Sequence, residues 1–574
     1  MNELIIVNPD KCVGCNACIR TCRAPEANIT KLIKDDNGNV VRSVTTVNPE
    51  KCIACGECVK NCSHGARDYV DDTLDVMNAI YNQKENFIVL AAPTIKSVYP
   101  TKWKGILQWF KDRGCLVYDV SFGADICTWA HLKFIQQNRI NSIITQPCAA
   151  IVNYIETYQP SLIRNLSPVH SPILCTAVYV KKYMRRNKRM VALTPCIAKK
   201  KEFLETGLVD YNVTFNKLME FFEKNGESIS SNFSEDFRYD FEGTQGQMGA
   251  IYPRIGGLRD NLWLHDPDIN ITTSEGVHMV YPDLDKYAKL SDNKKPEVFD
   301  VLSCDNGCTA GAGTGKKHNK FDINATMHEV EKEAKSRRKT SGGIFRGAED
   351  KLFKEFDNEL NVNDFMRQYT AAVPSPIPSI QVLEPVFESM GKHTEYERNI
   401  DCNACGYHSC REMAIAISRG LNVPENCIVH AKSALSKQKS ELQTRHAALE
   451  DMREQVKNLS ECLNSDINTI SEKMGAIRTT NGKTVDRAKD VKNLMTQLRE
   501  FGENFKELSD DDISDVKNIM SQLVEVMDAV LGAFEGVDEF VSASDTETSA
   551  VDVQIKNMKQ LVQSINTVLN EKAI

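Results

Sequence analysis

Long apolar runs are missing from this sequence of 574 residues. None approaches the roughly 18 to 20 residues that a membrane span requires. A basic excess is also missing: the formal net charge is −8, which argues against the clustered positive surface of a nucleic-acid-binding protein. The first residues, MNELIIVNPDKC, lack a charged segment followed by a longer apolar one, so no export signal is expected. These absences predict a soluble cytoplasmic protein that binds neither membranes nor nucleic acid.

Cysteine, in contrast, is abundant. The chain has 20 cysteines, many of them in C-x-x-C groups. Disulfide frameworks are typical of small secreted chains, whereas this chain is long and charged. The pattern therefore favours metal or cluster ligation in a reducing compartment.

A direct repeat opens the chain: VNPDKCVGC at 7–15 returns as VNPEKCIAC at 47–55. Each copy has the C-x2-C-x2-C-x3-C spacing of bacterial ferredoxins, in which the fourth cysteine binds the other cluster. We therefore predict an α+β ferredoxin domain with two [4Fe–4S] clusters at residues 1–77, with zinc as the alternative. The proline that usually follows the fourth cysteine is replaced by Arg23 and Ser63. The predicted ligand sets are Cys12, Cys15, Cys18 and Cys62 for one cluster, and Cys52, Cys55, Cys58 and Cys22 for the other.

From 78 to 374, short apolar runs alternate with helix-like segments, which indicates an α/β domain with parallel strands. Three runs are followed by cysteines, namely Cys148, Cys196, and Cys304 with Cys308. Ligands gather beyond the carboxyl ends of parallel strands, so we expect these thiols to converge. The glycines around Cys308 are expected to let the backbone approach a bulky cofactor. Taken alone, a cysteine such as Cys148 is most often a buried structural residue. The apolar runs are FIVLAAP, CLVYDVS, INSIITQ, RMVALTP and EVFDVLS.

A further cysteine group lies in the predicted domain at residues 375–430. Four thiolates suit either a [4Fe–4S] cluster or structural zinc. Zinc ribbons tend to use two C-x-x-C pairs, and here the second pair is widely split, which favours a third [4Fe–4S] cluster. The group consists of Cys402, Cys405, Cys410 and Cys427.

Beyond residue 430 the chain has no proline, tryptophan or tyrosine, and its apolar residues follow heptads. Leu435, Leu442 and Leu449 begin one seam, and Val516 with Ile519 begin a second, interleaved one. Heptads predict a helical coiled-coil region at 431–574 for signalling or oligomerisation, since paired seams need a partner surface. SDDDIS at 509–514 and SASDTETS at 542–549 are expected to interrupt the helix.

The α/β segment resembles the [FeFe] hydrogenases through three ordered motifs, TQPCAA, TPCIAKKKE and VLSCDNGCTAGAG, behind a ferredoxin-like repeat. The resemblance implies an H-cluster: a [4Fe–4S] cube joined to a two-iron centre with CO, cyanide and dithiolate ligands. Lys199 matches the family lysine that contacts a cyanide, and Glu202 matches an acidic residue on the family's proton route. The implied ligands of the cube are Cys148, Cys196, Cys304 and Cys308, with Cys308 bridging to the two-iron centre.

The chain departs from catalytic members of that family at the proton-relay position. Their first motif has two adjacent cysteines, and here the second is Ala149, whose methyl group moves no proton. Thr194 and Leu302 stand where the family has methionines, and His131 is the candidate titrating residue on the preceding helix. These substitutions and the later cysteine group resemble the family's sensory subgroup. The tail is similar, in its heptads alone, to the signalling rods of chemoreceptors.

Three functions remain open on this reading. The first is an H2- or redox-responsive sensor of low turnover whose clusters relay redox state to the helical tail. The second is a catalytic hydrogenase that moves protons through His131, Cys127 or water, and the third is an electron-transfer scaffold without the two-iron centre. Expected partners are H2, an electron carrier such as ferredoxin, a second copy of the chain through the coiled coil, and a signalling protein.

Four cysteines lie outside these ligand sets. Cys115, Cys127 and Cys175 are expected to pack in the core, and Cys127 is the one able to face the cofactor. Cys462 is expected to lie exposed or in an interface.

Overall fold

The structure is a computed structural model in which residues 3–38, 40–138, 141–145, 147–233, 239–315, 319–342, 351–503 and 510–571 are described. The chain forms two compact units, Met1–Ser433 and Ala434–Ile574. No helix in these ranges combines the length and the apolar character needed to cross a bilayer.

The repeat folds into short antiparallel ribbons with one helical turn per copy. Strands β1 (Ile5–Val7) and β4 (Arg67–Tyr69) pair, as do β2 (Asn28–Lys34) and β3 (Val40–Val47). Helices α1 (Ala17–Thr21) and α2 (Glu57–Lys60) each contain the third cysteine of a motif. The turn before α2 uses Gly56 at φ 75°, where a Cβ would lie 2.4 Å from that of Ala312. Glycine therefore lets the repeat pack directly on the α/β domain.

The five apolar runs are strands, as predicted, but they are divided between two parallel sheets. One sheet has the order β6-β5-β8-β9, and the other has the order β10-β11-β7. The sequence analysis missed two of these strands, and both lie at a sheet edge. The bounds are β5 Ile88–Ala91, β6 Leu116–Asp119, β7 Ile143–Ile144, β8 Met190–Thr194, β9 Tyr211–Thr214, β10 Ile271–Glu275 and β11 Val298–Leu302.

Helices cover the sheets and carry their apolar residues inward. In the helix at Phe215–Lys224, for example, Phe215, Leu218, Met219 and Phe222 are buried, the spacing of one helix face. The helix at Val120–Asn138 is buried on all sides over its first 13 residues, which places it in the centre of the domain. The helices of this domain are α3 Thr73–Gln83, α4 Thr94–Val98, α5 Trp103–Lys111, α6 Val120–Asn138, α7 Ala149–Tyr158, α8 Pro172–Val178, α9 Lys199–Thr206, α10 Phe215–Lys224, α11 Gly257–His265, α12 Val280–Lys289, α13 Lys320–Gly342 and α14 Lys351–Glu359.

Three short helices surround the later cysteine group, and Cys410 lies at the start of the third. They are α15 (Ile380–Ser389), α16 (Glu395–Arg398) and α17 (Cys410–Ser418). Thr394 and Glu397 form a reciprocal capping box at the start of α16. Leu383 and Phe387 of α15 pack with Met413 of α17 in an apolar cluster that also includes Ile19 of the repeat. This small region therefore shares a core with the ferredoxin-like segment.

The remainder of the chain is helical, with α18 at Ile428–Glu503 and α19 at Asp510–Glu571. The two helices run antiparallel: Asn481 Nδ2 donates to the Phe534 carbonyl at 2.8 Å, and Lys492 pairs with Asp528. Helix α19 begins at Asp510, within the predicted break at 509–514, whose first residue lies outside the described residues.

The predicted break at 542–549 is wrong, because these residues lie inside α19. Thr546 and Thr548 donate their hydroxyl groups to carbonyls one turn earlier, at 3.0 and 2.8 Å. Hydroxyl groups satisfied in this way are compatible with a helix interior.

Candidate functional site

Four cysteines that are distant in sequence line one cavity of about 90 Å³, named here the cysteine cavity. Cys148 precedes α7 and follows β7, Cys196 follows β8, and Cys304 and Cys308 follow β11. These strands belong to two sheets, so the cavity lies where the carboxyl ends of both sheets meet. The convergence expected from strand ends is therefore present, although its scaffold is not a single sheet.

The positions at which the sequence departs from the hydrogenase motifs also line the cysteine cavity. They are Ala149, Thr194 and Leu302. Thr194 donates its hydroxyl group to Asn212 Oδ1 at 2.7 Å, so this hydroxyl is already engaged by the protein. Among the described residues that line the cavity, Lys199 alone has a charged side chain.

The glycines near Cys308 bring backbone segments close together. Cys308 N–H donates to the Pro253 carbonyl at 2.8 Å, and Gly313 N–H donates to the Pro195 carbonyl at 2.8 Å. A Cβ on Gly307 would lie 2.3 Å from the Pro253 oxygen, and a Cβ on Gly311 would lie 2.4 Å from the Pro195 oxygen. These glycines therefore allow one loop to approach another, and Gly311 also lines the cysteine cavity, so the expected approach to a cofactor stays a prediction.

The donor set of the cysteine cavity fits an iron–sulfur cofactor. Burial raises the pKa of Cys196 to about 11 and that of Cys308 to about 12, and neighbouring thiols add to both rises. Thiols in such a place stay protonated unless metal ions replace their protons. In the described ranges no three His, Cys, Asp or Glu side chains are grouped as ligands of a single metal ion. In a four-iron cluster each thiolate binds a different iron, so its ligands lie farther apart than those of one ion.

Lys199 lies at the cavity wall in a buried ion-pair chain. Its ammonium group donates to Glu202 Oε2 at 2.6 Å and to the Pro147 carbonyl at 3.2 Å. Ser171 donates to the same Glu202 oxygen at 3.1 Å, and Arg367 Nη1 lies 3.7 Å from the other. Three side chains therefore converge on Glu202, which is 1 % exposed.

The ion pairs from Lys199 to Arg367 lead to a second cavity of about 660 Å³, named here the rear cleft. This cleft is lined by Arg367, Glu205 and His170, among others. Burial lowers the pKa of His170 to about 4, so this imidazole is neutral near pH 7. Within the described ranges, His170 Nδ1 and Glu202 Oε1 have no hydrogen-bond partner. Ser171, Arg367 and His170 were missed by the sequence analysis, because no motif marks them.

Cys127 and His131 form a buried pair, and neither of them lines the cysteine cavity. The Cys127 thiol donates to the His170 carbonyl at 3.4 Å and lies 3.6 Å from His131 Nδ1. Burial alone would raise the pKa of Cys127, but a hydrogen bond with Cys175 and the neighbouring His131 lower it to about 5. The expectation that Cys127 faces the cofactor is therefore wrong. Cys115 and Cys175 are buried as expected, and Cys462 is exposed.

The cysteines of the repeat lie on two sides of the ferredoxin-like segment. Cys22, Cys52 and Cys55 pack in the apolar cluster that contains Cys148 and Cys308. On the other side, Cys18 packs in the cluster that contains Cys405, Cys410 and Cys427. The predicted second cluster site is thus next to the cysteine cavity, and the predicted first site is next to the later cysteine group.

The later cysteine group lines a small pocket of its own, which Cys402, Cys405, Cys410 and Cys427 all border. The Cys410 N–H donates to Asp401 Oδ1 at 2.6 Å at the start of α17. The link to the repeat includes a hydrogen bond from Asn16 Nδ2 to Asn426 Oδ1 at 2.8 Å. Four thiols in one pocket that are not grouped around a single metal ion suit a [4Fe–4S] cluster better than zinc.

Three segments match known protein families. Residues 86–266 match the model for the iron only hydrogenase large subunit, C-terminal domain. Residues 11–66 match the 4Fe-4S dicluster domain, and residues 399–429 match the FeS model, whose description names an Fe-S cluster. Cys148 and Cys196 lie inside the first match, and Cys304 and Cys308 lie beyond it.

Solved structures of [FeFe]-hydrogenases are similar to about half of the chain. One, from work on stepwise H-cluster assembly, is 14% identical, with a TM-score of 0.38, and covers 53% of this chain and 98% of its own. A second, from work on oxygen inactivation, is 14% identical, with a TM-score of 0.40, and covers 53% and 100%. A variant of HydA1 from Chlamydomonas reinhardtii is 15% identical, with a TM-score of 0.37, and covers 53% and 98%.

The cysteine cavity and the family matches together define an iron–sulfur redox protein. More particularly, residues 86–266 are similar to the iron only hydrogenase large subunit, C-terminal domain, and residues 11–66 are similar to the 4Fe-4S dicluster domain.

Proposed function

We propose that this protein is an H2- and redox-responsive sensor of the [FeFe] hydrogenase type with low turnover. An H-cluster held by Cys148, Cys196, Cys304 and Cys308 would supply the interconversion of H2 with protons and electrons. The observation that carries the proposal is the wall of the cysteine cavity, where the four thiols are present while Ala149 occupies the relay position. A site that can hold the cofactor but has a methyl group at the relay position favours detection over turnover.

The packing of the remaining cysteines supports a relay from this site. Cys52 and Cys55 share an apolar cluster with Cys148, and Cys18 shares another with Cys405. Two ferredoxin-type clusters and a third at the later cysteine group would therefore lie in series from the cysteine cavity. Helix α18 begins at Ile428, directly after Cys427, the last cysteine of that series.

Regulation requires that the helical region have two arrangements that redox state favours differently. We expect the amide hydrogen exchange of residues 431–503 to differ between H2-reduced and oxidised protein. The variant Cys405→Ser, which removes one ligand of the later group, should abolish this difference and leave exchange in the repeat responsive. Identical exchange under H2 and under oxidising conditions would contradict the sensor proposal.

The partners proposed are H2, an electron carrier such as ferredoxin, a signalling protein and a second copy of the chain. The second copy is supported by heptad residues on α18 that remain exposed, with Leu435 66%, Leu442 69% and Leu449 49% accessible. Apolar heptad seams are buried when helices associate.

We expect the protein to sediment as a dimer and Leu442→Glu to shift it toward monomer, because a charge in an apolar seam opposes burial. Ser440→Glu, an exposed change on the same helix, is the matched control and should leave the dimer intact. A wild-type protein that sediments as a monomer at micromolar concentration would exclude this partner.

The alternative is a catalytic hydrogenase with a non-standard proton path. It is favoured by the polar chain from Lys199 through Glu202 to Arg367 and the rear cleft. Neither His131 nor Cys127 lines the cysteine cavity, so these polar side chains replace them as the candidate proton path. High turnover in the wild type would favour this function over the sensor.

A further inference from the structure

A buried arginine lies between the cysteines of the two repeat copies. Arg67, in β4, is 6% exposed. Its Nη2 atom lies 3.3 Å from Cys18 Sγ, to which it donates a hydrogen bond. Arg67 also interacts with the Cys58 thiol, through its charge and through a side-chain hydrogen bond. The guanidinium group therefore interacts with the third cysteine of each motif.

The position of Arg67 is set by the protein and not by the cysteines alone. Nη2 also donates to Asn28 Oδ1 at 2.9 Å and to the Thr45 carbonyl at 3.1 Å. None of these acceptors is a carboxylate, so the positive charge is not neutralised through these contacts. An arginine side chain stays protonated in proteins, even when buried.

A fixed positive charge at this place has a defined effect on iron–sulfur clusters. Reduction adds an electron to a cluster, and a nearby cation stabilises the added negative charge, more strongly in a low-dielectric interior than in water. Hydrogen bonds to the sulfur ligands favour the reduced form in the same direction. Because Cys18 and Cys58 belong to different predicted ligand sets, one side chain reaches both clusters.

We propose that Arg67 is a positioning residue that raises the reduction potentials of both clusters of the repeat together. This role would keep both clusters reducible by a weak donor, as a relay between the cysteine cavity and the later cysteine group requires. The inference rests on the two-cluster assignment of the repeat and not on H2 sensing.

The test is a redox titration of both reduced clusters by electron paramagnetic resonance, in wild-type and Arg67→Gln protein. At a fixed solution potential, the ratio of reduced to oxidised cluster should fall about tenfold for each cluster in Arg67→Gln, a shift of about 59 mV for one electron. Arg67→Lys, which keeps the charge but loses the fork of donors, should show a smaller fall. Unchanged ratios in Arg67→Gln, or a fall confined to one cluster, would overturn the proposal.

Arg42 supplies a matched control in the same segment. It donates to the Cys12 carbonyl at 2.9 Å, so it touches a predicted cluster residue, but through the backbone and not through sulfur. Its side chain is 32% exposed, which screens its charge. Arg42→Gln should leave both ratios within about twofold of wild type, since a screened surface charge contributes little. An equal effect in both variants would reduce the role of Arg67 to general charge and overturn the specific claim.

If the Arg67→Gln variant does not assemble its clusters, a measurement on the wild-type protein still tests the proposal. Protein grown with arginine labelled with 15N in the guanidinium group should show a 15N coupling to each reduced cluster by pulsed resonance. Absence of that coupling from either cluster would overturn the proposal. Iron, labile sulfide and the spectra of reduced wild-type protein are measured first, so that a failure of the two-cluster assignment is distinguished from a failure of the role of Arg67.

Discussion

Ala149→Cys is expected to raise the rates of H2 uptake and H2 evolution about 100-fold, the low end of what a positioned acid–base group contributes. Ala149 is the first residue of α7, is 2% exposed and lines the cysteine cavity beside Cys148. A thiol there would place a group that exchanges protons against the bound cofactor, where the wild type has only a methyl group. The rates are measured on matured protein, with infrared spectra of the CO and cyanide ligands confirming equal cofactor content.

Ala150→Cys is the matched control for this substitution. Ala150 is also buried on α7, at 3% exposure, but does not line the cysteine cavity. A thiol there should leave the rates close to those of the wild type. If the wild type is already fast and Ala149→Cys does not change it, protons reach the site by another path and the sensor proposal loses its main support.

Glu202→Gln is expected to lower the free energy of unfolding of the α/β domain by about 3 kcal/mol, as breaking a buried ion pair does. Glu202 is 1 % exposed and is shared by Lys199 and Arg367, which are 8% and 6% exposed. The amide removes the negative charge and leaves the Lys199 ammonium group buried without its counter-ion. Urea denaturation followed by tryptophan fluorescence measures the loss, because all 4 tryptophans lie between residues 103 and 263.

Glu205→Gln provides the comparison on the same helix. Glu205 also pairs with Arg367, at 3.2 Å, but its side chain is 33% exposed at the rear cleft. An accessible ion pair contributes about 0 to 1 kcal/mol, so this variant should lose little stability. If both variants lose the same free energy of unfolding, the burial of Glu202 does not determine how much the ion pairs from Lys199 to Arg367 contribute to stability.

Strand positions and the convergence of the cysteines could be predicted from sequence, because each depends on a short local pattern. A buried central strand is recognised by a continuous apolar stretch, such as MVAL within RMVALTP. The residues that follow such a strand lie at the edge of the sheet where ligands bind. Strands β9 and β10 escaped prediction because their sequences, YNVT and ITTSE, contain few apolar residues.

The proton-path candidates show the limit of local reasoning. From sequence, His131 is the candidate titrating residue on its helix, yet the fold directs it to Cys127, whose carbonyl it contacts at 2.8 Å. The residues at the end of the Lys199 chain, Arg367 and His170, are about 200 residues apart in sequence and carry no motif. These two residues come together through the packing of strand ends and loops, which the spacing of residues in the sequence does not predict.

The sequence by itself determined the ligand chemistry of this protein: cysteine spacings set by cluster geometry, motifs at strand ends, and an alanine where a relay thiol is expected. These features are local, because a ligand set is built from residues a few positions apart or from loops at predictable ends. Only the tertiary structure decided which sites are neighbours, which buried charges are paired, and where Arg67 lies. Those properties arise from long-range packing and from the low dielectric of the interior, which exist only once the chain has folded.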